Sequence, residues 1–305
     1  MQYYKYVPFR VPQPAPILCR VETSVELIAS YWTIAGTLPN SQQEYSRFDF
    51  RDRVQAAAGA GFKGIGIWHA DLDHILELRT LSEMKRILDD NGMKYVELEF
   101  LTDWFLDGER RRRSDARKKV LLNAAEVLQA KHVKVGDFTK EKCDFDRLVD
   151  SFATLCAEAA NHGTSIAFEP MGVAVLDTLY DSLRMVSAAG AKNGGIILDI
   201  WQVVDCAMPT EEVRRIPSCY LMGVELNDAA MDGARIREDT ANPRMFCGAG
   251  DFDIAGFISR VRESGYHGPW GVEVIGEALL SMPLREVAER AFTTTIRQFG
   301  GDGET

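Results

Sequence analysis

The chain has 305 residues, 46% of them hydrophobic and 26% charged, with a formal net charge of −10 and 6 cysteines. A length of this order carries one large domain or two modest ones around a sizeable core. The negative balance disfavours a phosphate backbone as partner, and the longest apolar runs fall far short of a membrane span. The scattered cysteines form no CxxC pair and no disulfide framework, which predicts free thiols in a reducing cytosol.

Residues 1–24, beginning MQYYKYVPFRVPQPAP, lack the apolar core of a signal peptide. They read as a short, extended, Pro-rich N-terminal arm, packed on the body of the domain, docked on a partner subunit or left as a loose terminus. Eight short apolar runs follow: VELIAS from Val25, FKGIGIW from Phe62, KYVELEF from Lys94 and HVKVG from His132, then TSIAFE from Thr164, GIILD from Gly195, YLMGVEL from Tyr220 and WGVEVI from Trp270. Between them lie stretches of helical period such as LSEMKRILDDNG, ARKKVLLNAAEVLQA, FDRLVDSFATLCAEAANHG and LYDSLRMVSAAG. Several end in Gly or Asn-Gly before the next strand, as helix C-termini do. The Asp-rich starts CDFD and GDFD suit N-caps. Eight strand–helix alternations predict an α/β fold, a single (β/α)8 TIM barrel over residues 25–305. A doubly wound open sheet is the alternative, but no GxGxxG follows the first strand and no P-loop appears.

Four of these strands carry an acid at or near the C-terminal end: Glu169, Asp199, Glu225 and Glu273. Side chains alternate along a strand, so an inward Glu225 has Gly223 beneath it and an inward Glu273 has Gly271 beneath it. Asp199 lies 30 residues after Glu169, and Glu225 26 after Asp199, about one strand-plus-helix unit of a barrel each. The C-terminal face of a barrel is its active face. Converging carboxylates repel unless some stay protonated or a cation sits among them. Oxygen-only ligands favour one hard divalent ion, Mn²⁺ or Mg²⁺. Taken singly, each acid also reads as a cap on the next helix or a partner of an arginine.

The pieces FEPM, ILDIWQ, VELND and RMFCGAGDFDIAGFISRVRESGYHGPWGVEV resemble the xylose-isomerase-like barrel superfamily, the sugar phosphate isomerases/epimerases. The resemblance runs over nearly the whole chain after the arm. In that family one divalent metal is held by a Glu after strand five, an Asp after strand six, a His on strand seven and a Glu after strand eight. The resemblance therefore implies Glu169, Asp199 and Glu273 as ligands, with Glu225 standing at the histidine's place. Gln202 likewise occupies the place of a substrate-binding His, and Arg244 matches an Arg that reaches substrate oxygens.

The implied activity is a metal-dependent sugar isomerase or epimerase. Glu169 and Glu273 are then the catalytic acid/base pair, abstracting the proton α to a carbonyl through a metal-stabilised enediolate. The alternative is a lyase of the same superfamily, a keto-sugar dehydratase or keto-glycoside-cleaving enzyme, including the C-glycoside deglycosidase type. Both share the first step, and the four acids do not separate them. Asn227 and Asp228 are expected to orient Glu225 or to contact substrate. Further substrate-side candidates are Trp68 and His69 after strand two, Glu99 on strand three, and Trp32, which with Trp104 offers an aromatic wall; plain packing is the other reading of these two tryptophans. An internal ion pair with Lys134 explains Glu97 and Glu99 equally well.

The expected partner is an unphosphorylated sugar or glycoside, with no nucleic acid and no membrane, and assembly as a homo-oligomer or hetero-oligomer stays open. The run Arg110 to Arg113, flanked by Glu109 and Asp115, reads as a solvated helix face or subunit contact. Two rivals remain. A DNA-repair endonuclease on this barrel needs several metals and many histidine ligands, and the 5 histidines present mostly do not fall where those ligands would; a metal-free barrel has no reason to keep all four acids.

Overall fold

The computed structural model describes residues 25–139, 141–233, 235–237 and 244–300, so the expected arm lies outside the described residues. The eight expected strands form: β1 Leu27–Ala29, β2 Gly64–Trp68, β3 Tyr95–Leu101, β4 His132–Val135, β5 Ser165–Phe168, β6 Gly194–Asp199, β7 Leu221–Leu226 and β8 Trp270–Val272. They are parallel and follow chain order around a closed barrel, with Leu27 of β1 opposite Trp270 of β8 at the closure. The surrounding helices include α1 Tyr31–Ala35, α2 Phe50–Ala60, α3 His69–Leu78, α4 Leu81–Asp90, α5 Gly108–Leu128, α6 Phe145–Ala160, α7 Leu179–Ala189, α8 Ile200–Asp205, α9 Ile254–Glu263 and α10 Leu284–Ile296. No helix of the described residues is long and apolar enough to cross a membrane.

Local chemistry sets the element ends. The Thr80 hydroxyl accepts the amide of Glu83 at 3.2 Å while the Glu83 carboxylate accepts the amide of Thr80 at 2.7 Å, a reciprocal cap that starts α4. Asp253 of the GDFD run accepts the amide of Gly256 at 3.0 Å and caps α9. Gly190 ends α7 with φ at 64°, a left-handed turn that costs a glycine nothing.

Outward-facing strand residues such as Ile65, Val133, Ile166, Phe168, Leu198 and Val224 are buried in one core with the helices. Burying each such side chain contributes roughly 1.5–3 kcal/mol. The arginine run lies on the first turns of α5. Arg110 pairs with Asp103 and Glu141, Arg111 with Asp115, and Arg112 and Arg113 with Glu109.

The barrel interior is polar. Glu97, Glu99, His132 and Lys134 join the four strand-end acids there, all at most 6% exposed. On the lower level His132 Nε2 lies 3.3 Å from Glu97 Oε1. Burial, with Lys131 and Lys134 nearby, pushes this imidazole well below its ordinary value and keeps it neutral. Small residues make room above: a Cβ on Gly271 would stand 2.8 Å from Glu225 Cγ, so the glutamate lies directly on bare backbone.

Candidate functional site

The four acids meet at the C-terminal end of the barrel. Glu225 is the penultimate residue of β7, and Asp199 closes β6 directly opposite it in register. Glu169 and Glu273 follow β5 and β8 by one residue, and their amides still donate to Val135 O at 2.9 Å and Leu226 O at 3.0 Å. Ligand oxygens of Glu169, Asp199 and Glu225 all lie within 4.8 Å of one another. Glu273 stands beside this triad, its Oε2 on the Arg244 guanidinium and its Oε1 3.8 Å from Lys134 Nζ.

Most of these carboxylates have one oxygen tied from outside. Asp199 Oδ1 accepts the amide of Trp201 at 2.9 Å and the Asn227 side chain at 2.8 Å. Glu225 Oε1 accepts Ser30 Oγ at 2.8 Å and Lys134 Nζ at 2.5 Å. Their other oxygens, Asp199 Oδ2 and Glu225 Oε2, are buried with no hydrogen-bond partner, although Arg244 Nη1 stands 3.0 Å from Asp199 Oδ2. Asp199 therefore does cap α8 and face an arginine, as the plain alternative foresaw, while keeping an oxygen turned to the centre.

Counting Glu99, five buried carboxylates surround the buried Lys134 ammonium and the Arg244 guanidinium, whose side chain is 10% exposed. Burial pushes the carboxyl of Glu169 up to about 8; Lys134 relieves part of this, and Glu273 and Asp199 add to the rise. Burial likewise raises Asp199 and Glu99, and holds Glu225 well above the ordinary range with Glu273 contributing. Burial works against the charge of Lys134, but Glu225, Glu99, Glu273 and Glu169 overturn it and hold the ammonium well above its usual value. Unpartnered buried oxygens in an acid-rich, all-oxygen cluster fit a hard divalent cation.

The other expected residues separate into three groups. Around the mouth, Trp32 and Trp68 lie 4.9 Å apart, Trp68 and Phe100 6.2 Å apart at 26°, and Phe100 and Phe138 5.2 Å apart. This ladder rises from the ends of β1, β2 and β3 to the rim. His69 accepts the amide of Phe100 on Nδ1 at 3.3 Å, and burial beside Arg117 lowers it to about 4, so the ring is neutral. Arg244 lies over the Trp201 ring at 5.3 Å, and Gln202 is half-buried on the first turn of α8.

Three residues serve the scaffold. Asp228 spends both oxygens on backbone amides, those of Ala229, Gly248, Gly250 and Phe252, at 2.8 to 3.0 Å. It anchors a loop, which corrects its expected substrate contact. Trp104 packs on Phe105, Phe152 and Phe168 on the helix side of the barrel, not on the mouth. Glu99 accepts the amide of Tyr31 at 3.3 Å and Lys134 at 3.1 Å, so the internal ion pair is its observed role. Ser30 was not anticipated. Its signal was a polar residue closing an apolar strand, the same pattern that marked the acids.

Fold and site together define a class: a (β/α)8 barrel with a buried acidic centre at the C-terminal ends of its strands. By sequence the chain belongs to the family of xylose isomerase-like TIM barrels, matched over residues 54–294. It is 26% identical over 263 residues to a 3-dehydroshikimate dehydratase of Pseudomonas aeruginosa and 25% identical over 270 residues to one of Pseudomonas putida. These alignments take in 83% and 84% of this chain but 38% and 39% of those proteins, so the chain spans under half the length of the curated relatives it matches. Among solved structures, the IOLI protein with a zinc atom bound superposes with a TM-score of 0.79 at 18% identity, over 90% of this chain and 98% of that one. D-allulose 3-epimerase from Methylomonas sp. in complex with D-allulose gives 0.69 at 15% identity, over 90% and 97%. At these identities the likeness is one of fold.

Proposed function

We propose that the chain is a divalent-metal-dependent enzyme that removes the proton α to a carbonyl of a small polyhydroxylated substrate and completes the reaction by loss of a β-hydroxyl. The convergence of Glu169, Asp199 and Glu225 within 4.8 Å, buried and backed by fixed hydrogen bonds, carries this reading. Those three, joined by Glu273 when Arg244 yields its oxygen, would hold the cation. Once bound, the cation acts as a Lewis acid on the carbonyl and an adjacent hydroxyl.

The chain's own residues do the rest. Of Glu169 and Glu273, one carboxylate takes the proton from the α-carbon and the other delivers a proton to the hydroxyl of the breaking carbon–oxygen bond, which leaves as water. Arg244 presents its guanidinium to substrate oxygens beside Glu273. The ladder of Trp32, Trp68, Phe100 and Phe138 takes the less polar face of the substrate and excludes water. Elimination is favoured by the dehydratase relatives, which align with 83% and 84% of the chain. A second reading, return of the proton to the same carbon, is epimerisation. It draws on the fold shared with D-allulose 3-epimerase.

Metal dependence is tested by thermal melts from pH 5 to 8.5 with and without Mn²⁺. The Glu169 carboxyl is raised from 4.5 to about 8 in the fold. A raised acid adds stability that is full below its unfolded value and is lost as pH climbs through the folded one. The cation-free protein is therefore expected to lose stability between about pH 4.5 and pH 8. Asp199, Glu225 and Glu99 act in the same direction. Cation binding needs these carboxylates ionised, so stabilisation by Mn²⁺ grows over the same window. At a hundredfold excess over Kd it amounts to about 2.7 kcal/mol, on the order of 5 °C. A flat response at every pH would sink the metal reading.

The reaction is read by NMR in D₂O with 3-dehydroshikimate and with keto-sugars. Loss of a hydroxyl with new aromatic signals from 3-dehydroshikimate, or a deoxygenated product from a keto-sugar, supports elimination. Deuterium at an inverted carbon, with all hydroxyls retained, supports epimerisation instead.

A further inference from the structure

Lys134 is fully buried inside the barrel, and its ammonium meets Glu225 Oε1 at 2.5 Å and Glu99 Oε2 at 3.1 Å. Ser30 Oγ donates to the same Glu225 oxygen at 2.8 Å. Glu225 Oε2 is buried and has no hydrogen-bond partner, and Glu225 faces Glu169 and Asp199 in the acidic triad. From the other side the Glu225 stem rests on Gly271, where a Cβ would come within 2.8 Å of Cγ. One oxygen is thus tied down, the other presented, and the side chain has little room to rotate.

A free carboxylate offers a cation two oxygens and a full charge. One whose first oxygen accepts an ammonium and a hydroxyl offers one oxygen, and the ammonium, shared here with Glu99, offsets part of its charge. We propose that Lys134 is a positioning residue that ties down one oxygen of Glu225 and offsets its charge, leaving it a single-oxygen ligand for the divalent cation. The inference rests on the metal reading given under Proposed function. Lys134 touches no substrate in this role. It acts through Glu225, limiting coordination to one oxygen from β7 and sparing the centre a further unpaired negative charge. A single-oxygen ligand suits a small six-coordinate ion such as Mn²⁺ or Mg²⁺, whereas a two-oxygen carboxylate suits Ca²⁺.

Replacing the pair by a neutral single-oxygen residue tests this directly. Mn²⁺ affinity is measured by calorimetry on the purified full chain, with a thermal melt of each variant to confirm folding. The double variant Lys134→Met/Glu225→Gln keeps one acceptor oxygen and removes both charges. It is expected to bind Mn²⁺ within about threefold of the unaltered protein, because the two changes compensate instead of adding. Glu225→Gln alone keeps the ammonium, still held by Glu99, but removes a negative charge beside the cation, and is expected to weaken binding about 10- to 100-fold.

A folded double variant that binds as weakly as Glu225→Gln overturns the proposal. If the double variant does not fold, the single variant decides, and unchanged affinity in Glu225→Gln overturns it. Failure of the unaltered protein to bind Mn²⁺ overturns the metal reading itself and this inference with it. Normal binding with no compensation overturns the inference alone.

Discussion

Glu273→Gln is expected to fold normally and to lower kcat by about 10²- to 10⁴-fold, the range for removing a positioned acid or base. Glutamine keeps the shape of the side chain and an oxygen for Arg244, so the guanidinium that now pairs with Glu273 and lies 3.0 Å from Asp199 stays between them. What the amide lacks is the ability to take and release a proton. The substitution also removes one of five buried carboxyl groups, so an unchanged melting temperature together with a large fall in kcat separates chemistry from folding. Steady-state kinetics on the substrate identified in D₂O check the prediction. Activity within tenfold of the unaltered enzyme would move proton handling to another group.

Asp71→Ala is expected to cost about 3–5 kcal/mol of stability, the range for leaving a buried charge without its partner. At about 2 °C per kcal/mol this is on the order of 10 °C in Tm. Arg53 has no exposed surface, and its Nη2 meets Asp71 Oδ2 at 2.6 Å. Asp71 Oδ1 also accepts the amide of Ser46 at 2.9 Å, so the carboxylate joins α2 and α3 to the segment between α1 and α2. Arg53 Nε and Nη1 have no hydrogen-bond partner. The guanidinium lies over Tyr31 and Phe50 at 5.6 and 5.8 Å, a contact that softens its burial without replacing the aspartate. A melt followed by circular dichroism reads the loss. The double variant Arg53→Met/Asp71→Leu should recover most of it, because an apolar pair of similar volume carries no stranded charge. A fall of less than about 2 °C in Asp71→Ala would mean that water reaches Arg53.

The barrel was legible because its strands announce themselves locally. Each is an apolar run bounded by helical patterns and Gly or Asn, and side-chain alternation within the run decides which residue faces inward. Glu169, Asp199, Glu225 and Glu273 were legible for the same reason, as acids closing apolar runs. The contacts that give them meaning were not. Ser30 lies 195 residues from Glu225, and Lys134 lies 91 away. No local pattern encodes which of two carboxylate oxygens such distant groups will hold. Asp228 misled for a related cause: its position just past a strand end resembles a substrate contact, while the amides of residues 248 to 252 that claim it return from a later part of the chain. Trp104 follows β3 as Trp32 follows β1, but its partners lie on α6 and β5 at the helix side.

The clasp at Asp228 has a consequence for how such a barrel diversifies. Asp228 and Met245 exchange backbone hydrogen bonds of 3.1 and 2.7 Å, and the Asp228 carboxylate gathers three amides just beyond. The excursion that delivers Arg244 therefore leaves and rejoins the barrel at one knot. Lengthening a loop whose ends are already joined costs only roughly 0.6 kcal/mol per doubling. The knot works like the hinge-pin of an exchangeable tool head: a change in length between its two ends leaves β7, and with it Glu225, in place.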